Sequence, residues 1–232
     1  MRFDGMIFDI EGTLIDCIPQ NLRSWQETLS GCGLTVPLDV LQCYSGMDGD
    51  DMLRILAPDW DRGFRKRVLE AQGKNFEAGY LRSVRAFKGI RPMFEAIKRE
   101  GGRIAIATDC TDPALSHYRE VLGVDDLIDV IACGDDVKEG KPSPKLVRLA
   151  TQRLGVDPAH AVMTGDTPYD AVAARGASVS ALGVLTGGFS RAALKDAGCL
   201  EAMSEVGAME GFLATHQRDP RPAETSLSPG YS

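Results

Sequence analysis

The sequence predicts an α/β fold in which helices cover both faces of a parallel β-sheet and a helical cap domain is inserted after the first strand. In the second half of the chain, short apolar segments bounded by glycine, aspartate or proline alternate with helical patterns. Between the first apolar segment and this alternating region, several helical patterns follow one another without a convincing strand. The alternation predicts the sheet, and the uninterrupted helical block predicts the cap.

Five apolar segments are predicted to form the strands of the sheet. They lie at residues 5–10, 103–107, 127–132, 161–164 and 178–184. Helical patterns lie between and after these strands at residues 92–100, 113–122, 144–154 and 169–175. Each of these patterns ends immediately before a glycine, which is typical of a helix C-terminus. This alternation implies parallel strands that are joined by right-handed crossovers.

The first third of the chain breaks the alternation. Helical patterns lie at residues 20–29, 38–43, 50–56 and 62–80, with glycine and proline between them. We therefore predict a core domain at residues 1–16 and 88–215 and a helical cap at 17–87; an extra helical layer on the same core remains the alternative. Residues 216–232 are rich in proline, serine and charge, which predicts a disordered tail.

The charge balance argues against nucleic acid or an anionic membrane as a partner. The chain carries 26 basic and 33 acidic side chains, for a formal net charge of −7, whereas both of these partners require a positive surface. A small anionic substrate remains compatible, because a bound divalent cation reverses the local field. No apolar run approaches the ~20 residues of a membrane-spanning helix.

The cysteines indicate a reducing compartment. The six cysteines form no C-x-x-C pair and have no zinc-ligand spacing with the three histidines. Reduced thiols in a cytoplasmic protein explain this distribution best. The expected assembly is a monomer or a homodimer, and the sequence does not decide between them.

Polar side chains stand near the ends of the predicted strands, where parallel sheets place their ligands. They are Asp9 and Glu11 after the first strand, Thr108 and Asp109 after the second, Asp166 and Asp170 after the strand at 161–164, and Lys141 in a loop bounded by glycine and proline. Taken one at a time, these residues are explained by helix capping, by turns or by a solvated lysine. Their order along the chain indicates instead that they share one site.

In this order, four segments resemble the motifs of the haloacid dehalogenase-like (HAD) hydrolase superfamily. Residues 8–14 read FDIEGTL, similar to a first motif D-x-D-G-T, and Thr108 is similar to the second motif, a serine or threonine after an apolar strand. Residues 141–144 read KPSP and residues 165–170 read GDTPYD, which resemble the third and fourth motifs. The resemblance implies a Rossmann-like, HAD-like core with the small helical cap of the phosphoglycolate phosphatase and β-phosphoglucomutase-like branch.

The resemblance also implies a role for each residue. Asp9 is expected to be the nucleophile that forms an aspartyl-phosphate. Magnesium is expected to be held by Asp9, the backbone carbonyl of Glu11 and Asp166, with Asp170 either as a further ligand or as a residue that contacts the ligands. Substrate contacts are expected from Gly12, Gly46, Thr108, Asp109 and Lys141. Among these, Thr108 and Lys141 are expected to hold the phosphate oxygens during catalysis.

Glu11 departs from the pattern, because phosphatases that it resembles carry aspartate there. In them this residue protonates the leaving oxygen and then activates water. Glutamate keeps the acid but adds one methylene group, and a misplacement of about 1 Å can lower a rate on the order of a hundredfold. Either Glu11 still serves as the acid and base, or the enzyme has a low turnover rate or has lost its activity.

The motifs favour magnesium-dependent hydrolysis of a small phosphorylated metabolite. A β-phosphoglucomutase-like phosphotransferase and a catalytically weak protein that binds magnesium and phosphate remain alternatives. Glu11 together with Asp166 and Asp170 argues against the dehalogenase branch, which needs no magnesium. The segment 44–51 contains no lysine, which argues against the phosphonatase branch, where the cap supplies a Schiff-base lysine.

The cap is expected to decide which substrate is accepted. Residues 45–51 resemble the family's substrate-specificity loop, and Gly46 and Gly49 would let this loop fold over the site. Its three aspartates are expected to cap the following helix, and hydrogen bonds to the hydroxyl groups of a polyol are the alternative. Trp25 and Trp60 are expected to be core residues. The basic residues Arg54, Arg62, Arg65, Lys66 and Arg67 are expected to lie on a solvated helix face, and contact with a second anionic group of the substrate is the alternative.

Overall fold

A computed structural model describes residues 3–209 and residue 211, and within them eight strands and nine α-helices follow one another. The strands are β1 (Gly5–Phe8), β2 (Ile15–Asp16), β3 (Arg85–Ala86), β4 (Arg103–Ala107), β5 (Val130–Ala132), β6 (Ala161–Gly165), β7 (Ser180–Val184) and β8 (Ala202–Met203). The helices are α1 (Ile18–Gly31), α2 (Leu38–Gln42), α3 (Gly49–Leu56), α4 (Arg62–Gly79), α5 (Ile90–Arg99), α6 (Ala114–Leu122), α7 (Lys145–Leu154), α8 (Pro168–Gly176) and α9 (Arg191–Ala197).

Six strands form a parallel sheet in the order β5-β4-β1-β6-β7-β8. β1 lies near its centre, where Phe8 aligns with Ile106 of β4 on one side and with Thr164 of β6 on the other. Because these strands are parallel, the carboxyl ends of β1, β4 and β6 meet at one edge of the sheet. The predicted parallel sheet is confirmed, and the polar residues that follow these three strands are brought together.

Alternate residues of the central strand face opposite helical layers, as the two-residue period of a strand requires. Met6 and Phe8 pack on one face with Phe94 of α5, whereas Ile7 packs on the other face with Leu146 of α7. All four residues of β1 are buried, which is typical of a parallel sheet that is covered on both faces. The strand that leads to Asp9 is therefore held rigidly by packing from both sides.

Helices α1 to α4 enclose an apolar cluster of their own. Leu29, Leu41, Leu53 and Val68 come from the four helices in turn and pack together. Each helix lies within two residues of its predicted bounds at both ends. The sequence therefore located these helices well, because glycine and proline between the helical patterns mark where each helix ends.

One prediction for the segment 17–87 is wrong, because the segment does contain a strand. β3 pairs antiparallel with β2, and Ile15 aligns with Ala86. The chain thus leaves the core for the cap and returns from it along two adjacent segments. A strand of two residues is too short to show an alternating pattern, so the sequence gives no sign of it.

The remaining differences lie at element ends and in the last part of the chain. Residues 125–127 form a 3₁₀ turn, so β5 begins at Val130 and is shorter than predicted. Helix α9 and strand β8 were not predicted. The predicted disordered tail at 216–232 lies outside the described residues. Among the helices of the described residues, none combines the length and the apolar character needed to cross a membrane.

Candidate active site

Lys141 joins the polar residues that the sequence pointed to. Its Nζ atom lies 2.7 Å from Oδ1 of Asp9 and 2.8 Å from Oδ1 of Asp170, and it is 3.8 Å from Oδ2 of Asp109. Lys141, Asp9 and Asp170 are all buried. Residues that lie more than a hundred positions apart in the chain therefore form one compact charged cluster, as predicted from their order.

The sheet positions this cluster through the backbone. The backbone N–H of Asp9 donates to the carbonyl oxygen of Thr164 at 3.0 Å, which continues the pairing of β1 with β6. The N–H of Thr108 donates to the carbonyl of Ala132 at 3.1 Å, which continues the pairing of β4 with β5. The residues at these strand ends thus inherit the spacing of the sheet.

Asp166 has one carboxylate oxygen with a partner and one without. Its Oδ1 accepts a hydrogen bond from the hydroxyl of Thr13 at 2.9 Å. Its Oδ2 is buried and has no hydrogen-bond partner among the described residues. A Cβ atom on Gly12 would lie 2.2 Å from this oxygen, and one on Gly187 would lie 2.1 Å from it. Only glycine fits at these two positions, so the backbone approaches the carboxylate closely.

Asp170 is engaged at both oxygens. Its Oδ1 contacts Lys141, and its Oδ2 accepts from the backbone N–H of Thr167 at 3.0 Å and from the Thr167 hydroxyl at 2.7 Å. Thr167 in turn caps the start of α8. Oxygen atoms of Asp9, Asp166 and Asp170 lie within 4.8 Å of one another. These three carboxylates therefore form a buried group that could hold a metal ion.

The electrostatics of the cluster are unbalanced. Burial raises the pKa of Asp9, and Lys141 opposes this rise. Burial and the neighbouring Asp170 raise the pKa of Asp166 well above its usual range. Burial alone would lower the pKa of Lys141, but Asp170 and Asp9 raise it, and the net pKa lies well above its usual value. The ammonium group is therefore charged, whereas burial and mutual repulsion disfavour the ionised forms of Asp9 and Asp166.

Thr108 and Asp109 occupy the end of β4 beside the lysine. The hydroxyl oxygen of Thr108 accepts from the backbone N–H of Cys110 at 3.2 Å, so its proton is left to donate towards the cleft. The carboxylate of Asp109 accepts from the backbone N–H of Lys141 at 3.1 Å. Asp109 thereby holds the loop that carries Lys141 against the strand end.

A cleft of about 370 Å³ opens above the cluster, between the sheet edge and helices α1 to α4. Asp9, Glu11, Thr108, Lys141 and Asp166 line its core side. This volume lies within the range of ~300 to 1,000 Å³ that is common for small-molecule sites. The cleft therefore gives a small molecule access to the buried carboxylates.

The loop before α3 closes one side of the cleft. Gly46 lines the cleft, and a Cβ atom there would lie 2.6 Å from the methyl group of Thr167. The backbone N–H of Asp48 donates to the carbonyl of Lys141 at 3.1 Å. The side chain of Asp48 caps α3 by accepting from the N–H groups of Asp50 and Asp51, so the predicted capping is confirmed for Asp48.

The match to known proteins agrees with this geometry. The sequence profile described as haloacid dehalogenase-like hydrolase matches residues 6–184, which covers every residue of the cluster. The chain belongs to this family of hydrolases.

This family member is similar in sequence to named phosphatases and in structure to a solved hydrolase. It is similar to a phosphoglycolate phosphatase of Neisseria meningitidis, with 32% identity over 79% of this chain and 80% of the relative. It is also similar to the fructose-1-phosphate phosphatase YqaB of Escherichia coli, with 25% identity over 79% and 97%. A hydrolase from Pseudomonas syringae superposes with a TM-score of 0.85 and 26% identity, covering 91% of this chain and 98% of that one.

Glu11, which replaces the aspartate of the HAD motif, is held by a tyrosine. The hydroxyl of Tyr118 donates to Oε1 of Glu11 at 2.7 Å, and Tyr118 is fully buried in α6. Burial raises the pKa of Glu11. The Glu11 carboxylate therefore stands at the cleft in a fixed position, apart from the group formed by Asp9, Asp166 and Asp170.

Sequence reasoning missed two residues of this HAD site. Tyr118 lies on the apolar face of α6, where its residue type predicts only core packing. Trp25 packs against the apolar cluster of helices α1 to α4, as expected, but it also lines the cleft. Trp60 packs against the same cluster and edge-on against Phe64, with ring centroids 4.7 Å apart, and is not among the lining residues. The spacing of Ile18, Leu22 and Trp25 on one face of α1 marks them as a group, but not whether that face contacts protein or substrate.

Proposed function

We propose that this HAD family member is a magnesium-dependent phosphatase that hydrolyses a small phosphorylated metabolite through an aspartyl-phosphate on Asp9. One observation carries the proposal: the buried lysine Lys141 contacts Asp9 at 2.7 Å beside Asp166, whose Oδ2 has no partner among the described residues. A nucleophile, a fixed cation and an available carboxylate oxygen then meet at the base of one cleft. The named phosphatases among the relatives support the same reaction.

The residues fit a magnesium ion. The donors are hard carboxylate oxygens, which Mg²⁺ prefers, and the unpartnered Oδ2 of Asp166 lies where Gly12 and Gly187 leave room. Asp9 and Asp166 would hold the ion, together with the backbone carbonyl of Glu11, while Asp170 would act mainly through Lys141. When bound, the ion would supply the positive charge that keeps these carboxylates ionised and that offsets the charge of the phosphate.

In the first half of the reaction, Asp9 acts as the nucleophile. A carboxylate oxygen of Asp9 attacks phosphorus, an Asp9–phosphorus bond forms, and the ester oxygen leaves on the opposite side with the bonding electrons. Glu11, held by Tyr118, donates a proton to this oxygen, so the product leaves as a neutral alcohol. The raised pKa of Glu11 suits this role, because burial favours the protonated form.

In the second half, Glu11 acts in the reverse sense. Its carboxylate, now ionised, removes a proton from water, and the resulting hydroxide attacks the phosphorus bound to Asp9. The bond between Asp9 and phosphorus breaks, phosphate leaves, and Asp9 regains its carboxylate. Throughout both halves, Lys141 and the hydroxyl of Thr108 are placed to bind the non-bridging oxygens of the phosphoryl group, where charge is spread in the transition state.

A hydrolysis assay tests the proposal. We expect release of phosphate from p-nitrophenyl phosphate and from a panel of phosphorylated metabolites in the presence of magnesium, and loss of release in EDTA. When turnover of an ester with an isotopically labelled phosphate is stopped with acid, we expect the label to be found on Asp9. No hydrolysis by the native chain, with hydrolysis gained in Glu11→Asp, would instead identify a lapsed enzyme. Label that stays on Asp9 until a second sugar phosphate is added would identify a phosphotransferase.

The setting of the enzyme is part of the same proposal. We propose a cytoplasmic protein that acts on a small metabolite and binds neither nucleic acid nor membrane, as a monomer or a homodimer. All six cysteines are free thiols, which suits a reducing compartment, and the net charge of −7 does not suit a polyanionic partner. Light scattering of the purified chain measures the assembly directly.

A further inference from the structure

The upper part of the cleft is formed by one face of each of two cap helices. On α1, Ile18, Leu22 and Trp25 line the cleft at intervals of one helical turn, and on α4, Leu69 and Phe76 line it two turns apart. Trp25 is partly exposed to the cleft. These side chains offer a substrate an apolar surface that includes two aromatic rings.

The charges in the cleft are unfavourable for a substrate that carries a second anionic group. Among the described residues that line the cleft, Lys141 is the one cation, and its charge is already shared by Asp9 and Asp170. The charged residue of the cap in the lining is an acid, Glu77. Arg65, a basic residue of the predicted solvated face, is bonded to Asp50 instead and lies outside the lining. A carboxylate or second phosphate on a substrate would meet apolar surface and like charge.

Two amide side chains supply the polar contacts at this end. The Nε2 of Gln72 donates to the Oδ1 of Asn21 at 3.3 Å, across the gap between α4 and α1. An amide side chain carries one NH₂ donor group and one carbonyl acceptor. The NH₂ group of Asn21 and the side-chain carbonyl oxygen of Gln72 have no hydrogen-bond partner within the described residues. Both residues line the cleft. Together they present one donor and one acceptor to a neutral polar group of a substrate.

We propose that the substrate is the phosphate monoester of an uncharged alcohol that carries a ring, and that the enzyme discriminates against esters with a second anionic group. The ring packs against Trp25 and Phe76, and neutral polar groups bond to Asn21 and Gln72. This inference rests on the proposed phosphatase function. It separates the chain from the relative named phosphoglycolate phosphatase, since phosphoglycolate carries a carboxylate beside its ester.

Two matched pairs of esters test the substrate class. Benzyl phosphate is compared with 4-carboxybenzyl phosphate, and 2-hydroxyethyl phosphate with 2-phosphoglycolate, each with magnesium. We expect the uncharged member of each pair to have a kcat/KM at least about tenfold higher, and benzyl phosphate to exceed 2-hydroxyethyl phosphate by at least about tenfold, since one pocket contact shifts such ratios by 10- to 200-fold.

Variants of the cap assign these preferences to residues. Trp25→Ala is expected to lower the ratio of benzyl to 2-hydroxyethyl phosphate by about tenfold, while Trp60→Ala, a tryptophan of the same helical cap outside the lining, leaves the ratio unchanged. Gln72→Arg supplies the missing cation and is expected to raise kcat/KM for both carboxylate esters by at least about tenfold. This variant tests the charge argument even if Trp25→Ala fails to fold.

The outcomes separate this inference from the function on which it rests. Equal or faster hydrolysis of the carboxylate esters, or a carboxylate penalty unchanged in Gln72→Arg, would overturn the proposed substrate class and leave the phosphatase function standing. No magnesium-dependent hydrolysis of any of the four esters or of p-nitrophenyl phosphate would overturn the proposed function itself.

Discussion

The two ends of the cleft are built on different physical principles. At the core end, Asp9, Asp166 and Lys141 are buried. Asp9 and Asp166 directly follow β1 and β6, and Lys141 contacts Asp9 from the loop between β5 and α7. At the cap end, Trp25 and Gln72 stand on helix faces, are partly exposed, and make few polar contacts. The reactive carboxylates are therefore positioned by the sheet, whereas the surface proposed to contact the rest of the substrate is positioned only by helix packing.

This contrast has a consequence for substitution. A change at the core end disturbs several mutually dependent charges, while a change of the same type at an exposed position of the cap leaves those charges in place. Pairing each core substitution with the same substitution in residues 17–87 therefore measures the contrast directly.

The largest difference between a core substitution and its counterpart in the cap is expected for aspartate. Asp9→Asn removes the nucleophile, and we expect kcat to fall by at least about a thousandfold with little change in thermal stability, because the side chain keeps its shape. Asp59→Asn, an exposed aspartate of the cap, should leave kcat unchanged. Steady-state assays with p-nitrophenyl phosphate measure both. Normal turnover by Asp9→Asn would show that another residue is the nucleophile.

Lysine gives the next largest difference. Lys141→Met leaves Asp9 and Asp170 buried without their cation, so we expect kcat/KM to fall between about a hundredfold and a thousandfold. We also expect a loss of about 3 kcal/mol in the free energy of unfolding. Lys74→Met on the exposed side of α4 should change neither quantity. Chemical denaturation and phosphate release provide the two measurements, and equal stability of the two variants would contradict the buried cluster.

Two glycines separate backbone strain from site geometry. Gly12 and Gly33 have nearly the same positive φ, 77° and 82°, so the backbone strain of alanine should lower the free energy of unfolding by about 1 kcal/mol at either position. Only at Gly12 would the new methyl group meet Asp166, since nothing lies within 4 Å of the Cβ position at Gly33. We expect Gly12→Ala alone to lose activity, on the order of a hundredfold. Similar activity in the two variants would contradict a functional role for the close approach of Gly12 to Asp166.

Tyrosine tests how Glu11 is positioned. Tyr118→Phe removes the hydrogen bond to Glu11, and we expect kcat to fall about tenfold with KM nearly unchanged, as for the loss of one bond to a charged group. Tyr80→Phe in the cap region removes a similar bond, the 2.6 Å contact with Glu27, and should leave kcat unchanged. A further loss when Tyr118→Phe is added to Glu11→Gln would argue that Tyr118 acts through some other group.

The smallest effects are expected from ion pairs distant from the cleft. Arg153 lowers the pKa of Asp136 to about 2, against an ordinary value of 3.8. Since the folded pKa is the lower one, the ionised pair stabilises the fold above about pH 4 and this contribution disappears as the pH falls towards 2. Its size should stay below about 1 kcal/mol, because the pair is partly exposed. Thermal unfolding of the native chain and of Asp136→Asn should therefore differ at pH 6 and converge in acid.

Much of this protein could be predicted from its sequence because the signals are local. The apolar strand before Asp9, the helices that end at glycine and the order of the polar strand ends depend on neighbours in the chain. Together they predicted the parallel sheet, four helices before β3, and the meeting of Asp9, Lys141, Asp166 and Asp170. The resemblance of the motifs to HAD hydrolases added the chemistry expected at each position.

Other features were decided only when distant segments came together. The contact of Tyr118 with Glu11 spans α6 and the end of β1, and the isolation of Oδ2 of Asp166 depends on Gly187 as well as Gly12. The sequence also could not tell that Trp25 faces the cleft while Trp60 does not. An amphipathic helix shows which side is apolar, but whether that side meets protein or an open cleft is set by how the helices pack against the sheet.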